Sequence, residues 1–165
     1  MRLHTLYETA SPVTIRYYRG EDDWEAGEQA ERIAKVSGIR IASNKELTLV
    51  AERDGDVVGA VWSDFSRDDE ASAHHGDDVY CYDFDVAVQP AARGQGLTTA
   101  RVGPQLIDAA LKDYRNRRAE TGFPAYIKVW VVNPKLAQWL QDRYDFETES
   151  SEWTPNTPHL VYYGK

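Results

Sequence analysis

The sequence predicts an α/β protein in which a mixed β-sheet carries helices on its faces. Short runs rich in β-branched and aromatic residues alternate with longer stretches of helical period. Asp54-Gly55-Asp56 joins two of the β-rich runs and is a strong hairpin signal. A glycine turn, Arg93-Gly94-Gln95-Gly96, separates a third run from a helical pattern.

Residues 13–18 form the first expected strand, after Ser11-Pro12. Asp22 followed by Glu25 is a capping box that would satisfy free N–H groups at a helix start. Ala26, Ala30, Ile33 and Ser37 then line one helical face, and Gly38 can end it. Residues 47–53 and 57–65 are the hairpin strands, and residues 66–78 are expected to form a polar, mostly acidic loop. The fourth strand covers residues 79–88, and a helix runs from Leu97 to about Arg117. Gly103-Pro104 should interrupt and kink that helix, because an interior proline removes a hydrogen bond. Residues 126–132 are a strand, and Pro134 opens a shorter helix to about Tyr144. Two final strands fall near residues 146–153 and 159–163.

At 165 residues the chain fits one compact domain, residues 1–165. Five Trp and ten Tyr supply ample apolar area for a core and argue against disorder. The formal charge of −8 repels phosphate backbones, which argues against nucleic acid as a partner. Cys81 is the single cysteine, so an intrachain disulfide is excluded and a reducing cytoplasm is expected. The first residues lack the apolar core of a signal peptide, and no run approaches a membrane span, so no membrane partner is expected.

A glycine turn at a helix start is a physical anion trap: N–H groups converge without Cβ obstruction and the helix end adds partial positive charge. Such a loop should grip a phosphate or pyrophosphate. The element order, together with this loop after the fourth strand, resembles the GNAT family of acyl-CoA-dependent N-acyltransferases. The loop signature of that family is Arg or Gln, two residues, Gly, any residue, then Gly or Ala. Arg93 and Gly96 match it, and Thr98 departs from the small final residue. Asn133 ends the next strand and leads into Ala137, Trp139 and Tyr144, with Asp145-Phe146 where the family carries Gly-Phe.

The resemblance implies a largely antiparallel sheet of six to seven strands flanked by about four helices. It implies acetyl-CoA, or another acyl-CoA, as co-substrate, with no metal. The pantetheine would pair with backbone at Val86, Ala87 and Val88, and the pyrophosphate would meet Arg93, Gly94, Gln95, Gly96, Leu97, Thr98 and Thr99. Asn133 would hold the pantetheine arm or a bound water. The acceptor would be a small-molecule amine or a protein amine, and a homodimer through the C-terminal strands could use Trp153, Tyr162 and Tyr163.

N-acylation needs a base, an oxyanion donor such as the Val88 N–H, and a proton for the departing thiolate. Asp83 and Asp85 are the carboxylates of the fourth strand and share one face. The positions where family members carry their base fall instead on Tyr82 and Phe84, which project to the other face unless a bulge shifts the register. Tyr82 could order a water. The tyrosine that protonates the thiolate in the family falls on Leu140 or Gln141, and Tyr144 lies one helical turn on.

His74-His75 beside Asp77-Asp78 suggests a metal site or a base on a mobile loop, but adjacent histidines point apart and no third spaced ligand is evident, so a solvated loop is favoured. Two alternatives to an amine acyltransferase stay open. One is a catalytically impaired GNAT-fold protein that binds CoA and regulates. The other is acylation of a nucleobase or similar target by a phage- or plasmid-type protein, since the opening MRLHTLYE resembles leaders of some bacteriophage proteins.

Overall fold

The structure, a computed structural model, describes residues 11–93, 101–130, 134–149 and 159–162. Its strands are β1 (Thr14–Tyr17), β2 (Glu46–Arg53), β3 (Asp56–Arg67), β4 (Tyr80–Val88), β5 (Ala125–Trp130), β6 (Glu147–Glu149) and β7 (His159–Tyr162). Its helices are α1 (Trp24–Val36), α2 (Asp69–His75), α3 (Val102–Thr121) and α4 (Pro134–Tyr144). The strands form one seven-stranded sheet in the order β1-β2-β3-β4-β5-β7-β6. β4 and β5 are parallel, from Tyr80 opposite Ala125 to Asp83 opposite Lys128. A parallel pair needs a crossover, and α3 lies in the connection. β1 with β2, β5 with β7 and β6 with β7 are antiparallel.

Contacts divide the chain into two compact units. The first holds residues up to Ile41, Leu47–Val61 and Val86–Ala109. Its hairpin turns on Asp54 and Gly55, with φ of 55° and 87°, the two positive values that a tight turn matching the strand twist requires. Ala26, Ala30, Ile33 and Ala34 form the buried stripe of α1. The capping box at Asp22 is not made. Asp22 lies in a 3-10 turn, Gly20–Asp23, and the helix begins at Trp24. The carboxylate of Asp23, which stands at the cap position, is taken by Arg16, whose guanidinium also binds Glu52.

Gly59 is a close-approach position. A Cβ there would lie 2.8 Å from Leu106 Cδ1 and 3.0 Å from both Ala87 O and Val102 Cγ1. The first turns of α3 therefore sit directly on β3, with Val102, Leu106 and Ile107 buried. The expected interior kink at Gly103-Pro104 is absent because α3 starts at Val102, so Pro104 falls in the first turn, where its missing N–H leaves no bond unmade. Arg101 is not helical, so the helix does not run unbroken from Leu97.

The second unit holds Ala42–Glu46, Trp62–Asp85 and the chain from Ala110 on. Its core is aromatic: Tyr82 packs against Phe65, Phe84 and Tyr114, with ring centroids 6.3, 5.8 and 5.9 Å away. Residues 66–78, expected as a loop, contain α2. Asp68 caps it by accepting from the Ala71 N–H at 2.9 Å, and Gly76, at φ 85°, ends it. β7 lies between β5 and β6, and Tyr162 stacks on Phe146 with centroids 5.3 Å apart. Trp153 and Tyr163 lie outside the described residues. Asp145 has φ of 59°, a left-handed conformation that aspartate is among the few residues besides glycine to adopt.

Candidate functional site

The chemistry concentrates on β4. Tyr82, Phe84 and Ala87 are buried, whereas Asp83, Asp85, Val86 and Val88 are half-exposed. The alternation slips by one residue at Asp85-Val86, as a bulge would make it do. Strand periodicity puts Asp83 and Asp85 on one face before the slip.

In the second unit those two carboxylates converge on Lys45, which belongs to the segment before β2. Lys45 Nζ lies 2.8 Å from Asp83 Oδ1 and 2.9 Å from Asp85 Oδ2, and its side chain is only 5% exposed. Asp83 Oδ1 is shielded from solvent, and the Lys45 ammonium at 2.8 Å is its charged neighbour. Burial keeps Asp83 protonated to higher pH than an ordinary carboxylate, against the pull of Lys45, with Asp85 and Asp64 adding to the rise. The two carboxylates hold the Lys45 ammonium above its usual range despite its desolvation. Asp64 on β3 accepts from Ser66 Oγ at 2.7 Å and from Asn44 Nδ2 at 3.3 Å. Asp64, Asp83 and Asp85 thus outnumber the cation that Lys45 supplies. Lys45 is the member of this cluster that sequence reasoning missed: it lies 40 positions from Asp85, in a stretch without periodic signal.

Tyr82 occupies one of the positions where the resemblance puts a base. It is fully buried, and its hydroxyl donates to Asp113 Oδ2 at 2.9 Å. Burial, together with the Asp113 charge, pushes its ionisation well above the tyrosine range. The Tyr82 hydroxyl, which the sequence offers as a group to order a water, is thus bound inside the core. Phe84, at the other position, is likewise buried. Tyr144 ends α4, edge-on to Trp139, and its hydroxyl accepts from Arg143 Nε at 3.0 Å.

In the first unit, Arg93 turns back on β4. Its Nε donates to the Val88 carbonyl at 2.9 Å and its Nη2 to Ser37 Oγ at 2.8 Å, while Ser37 Oγ donates to the same carbonyl at 3.3 Å. This clasp ties the end of α1 to the end of β4. Gly94, Gln95, Gly96, Leu97, Thr98, Thr99 and Asn133 lie outside the described residues.

His74 and His75 are exposed at the end of α2 rather than in a loop. They border a cleft of about 530 Å³ in the second unit, with Asp68, Arg118, Tyr126 and Lys128 on its walls. Among the described residues no group of three or more His, Cys, Asp or Glu is placed to hold a metal. Cys81 is a half-buried free thiol, and burial raises it to about 11. No helix among the described residues is long and apolar enough to cross a membrane.

The chain matches the model of the acetyltransferase (GNAT) family over residues 3–138. Solved structures with the same fold include an agmatine N-acetyltransferase, 12% identical, covering 92% of this chain and 98% of that one with a TM-score of 0.58. A GNAT acetyltransferase from Brucella melitensis in complex with acetyl-CoA is 20% identical, with coverage of 93% and 89% and a TM-score of 0.52. A polyamine N-acetyltransferase from Drosophila melanogaster, which forms N-acetylagmatine, is 11% identical, with coverage of 92% and 100% and a TM-score of 0.53. No curated protein matches the chain.

Proposed function

Because this chain belongs to the GNAT acetyltransferase family, we propose that it transfers an acyl group, acetyl foremost, from acyl-CoA to a cationic primary amine. The observation that carries this reading is β4 itself. Asp83 and Asp85 immediately precede Val86 to Val88, the backbone to which the family resemblance assigns the pantetheine. In that assignment the N–H groups of residues 94–99 take the pyrophosphate and Asn133 the pantetheine arm. In the same assignment the Val88 N–H is the donor offered to the oxyanion, while the Val88 carbonyl accepts from Arg93 and Ser37.

The acceptor arrives as an ammonium, and freeing its lone pair at pH 7 costs about 4.6 kcal/mol for a pKa of ~10.4. The excess of carboxylates around Lys45 favours a cation there. Asp83 is the base: it takes the first proton through a water, and its raised proton affinity suits that task. The amine nitrogen then attacks the thioester carbonyl. The C–N bond forms, the C–S bond breaks, and the thiolate takes the second amine proton. The agmatine and polyamine acceptors of two structural neighbours are of this cationic class.

A second reading, a CoA-binding protein without turnover, is favoured by the buried aromatics Tyr82 and Phe84 at the family's base positions. Calorimetry with acetyl-CoA and CoA, followed by thiol release over a panel of amines, separates the two. Binding with turnover on a cationic amine is expected. Binding without turnover on any amine selects the second reading, and no binding at near-millimolar ligand overturns both.

A further inference from the structure

Lys45 is as buried as a core side chain, although lysine rarely is unless paired. Its segment folds back through a turn in which the Lys45 N–H donates to the Ala42 carbonyl at 3.0 Å. The four-carbon stem could carry the ammonium to water. Instead Nζ sits between two carboxylates of one strand, 2.8 and 2.9 Å away. One nitrogen therefore serves both carboxylates. We infer that Lys45 is a positioning residue for acylation, a fixed ammonium that holds Asp83 and Asp85 in one arrangement and keeps the proton-accepting carboxylate aimed and charged. The inference rests on the acyltransferase reading above.

The charged and titratable groups around the pair come from every neighbouring strand of the second unit. Asp64 projects from β3, Cys81 and the two aspartates lie on β4, and Lys128 stands opposite Asp83 on β5. Lys45 is the group that offsets the mutual repulsion of Asp83, Asp85 and Asp64. An opposite charge at contact distance moves a carboxylate by ~1–3 pH units. Asp83 is 28% exposed, which places the expected effect on the pH profile at the lower end of that range.

The test compares wild type, Lys45→Met and Lys45→Arg with acetyl-CoA and the best amine of the panel. For Lys45→Met, kcat at pH 7 should fall tenfold or more with KM for acetyl-CoA unchanged, and the acidic limb of the pH–rate profile should move up by about one unit. Lys45→Arg keeps the charge, so its limb should stay within about 0.3 unit whatever happens to kcat. Carbon-13 titration of the aspartate carboxyls reads the same displacement without turnover. An acidic limb that stays put in folded Lys45→Met overturns the proposal. So does a Lys45→Arg limb that moves as far as a charge loss would, which keeps the test decisive if Lys45→Met does not fold. Wild type without amine turnover overturns the acyltransferase reading and the positioning role with it; an unmoved limb in an active enzyme overturns the positioning role alone.

Discussion

Replacing Tyr82 by Phe separates a core role from a catalytic one. The ring stays, so its packing on Phe65, Phe84 and Tyr114 is retained and the vacated space is a single oxygen. What is lost is the hydroxyl that donates to Asp113 Oδ2 at 2.9 Å and is also hydrogen-bonded to Ser63, among residues only 0%, 3% and 5% exposed for Tyr82, Asp113 and Ser63. Arg117 Nε donates to the same oxygen at 2.9 Å, so Asp113 keeps a cation and does not become an uncompensated buried charge. A hydrogen bond to a charged group contributes ~1.5–3 kcal/mol, and about 2 kcal/mol is expected here. At ~2–4 °C per kcal/mol for a chain of this size, Tm should fall by about 4–8 °C. Urea unfolding followed by tryptophan fluorescence should show a lower midpoint with an unchanged m-value. Turnover on the best amine should stay within about twofold, because the hydroxyl is committed inside the core. A stability change below about 0.5 kcal/mol, or a tenfold loss of kcat in a folded variant, would refute the reasoning.

Two further outcomes follow from other residues. Burial raises the Cys81 thiol to about 11, above its value in an unfolded chain, so its contribution to stability is complete below about pH 8.5 and is lost as pH rises toward 11. Cys81→Ala should flatten that part of the stability–pH curve, and native Cys81 should react with a disulfide reagent at pH 8 far more slowly than the unfolded chain does. Gly59→Ala puts a methyl against Leu106 Cδ1, Val102 Cγ1 and the Ala87 carbonyl, the last of which cannot move away. Such overpacking typically costs ~1–3 kcal/mol, and a neutral result in urea unfolding would show that the start of α3 can shift.

Local signals proved legible where the chain's own neighbours decide the outcome. The Asp54-Gly55 turn, the strand pattern of β4 and the helix opened by Pro134 all follow from backbone preferences within a few residues. α2 was legible in principle, since Asp68 and Gly76 are a cap and a stop, but the charge of the stretch masked them. The capping box at Asp22 failed for a non-local reason: Arg16, on β1, claims the Asp23 carboxylate at the helix start. Pro104 is tolerated because α3 begins one turn later than periodicity suggests.

From sequence alone came the fold class, the order of the elements apart from α2, the resemblance to one family, and the placing of Asp83 and Asp85 on one face. Strand alternation and the order of motifs along the chain carry that much. Only the tertiary structure decided what those groups meet. Lys45 is 40 positions from Asp85, Ser37 is 56 from Arg93, and Asp113 is 31 from Tyr82, so nothing in their local sequence announces the pairing. Pairings of this kind are made by strand order and by which helix lies over which strand. A one-dimensional period can assign a side chain to a face, but the partner waiting there is chosen by the chain's path through space.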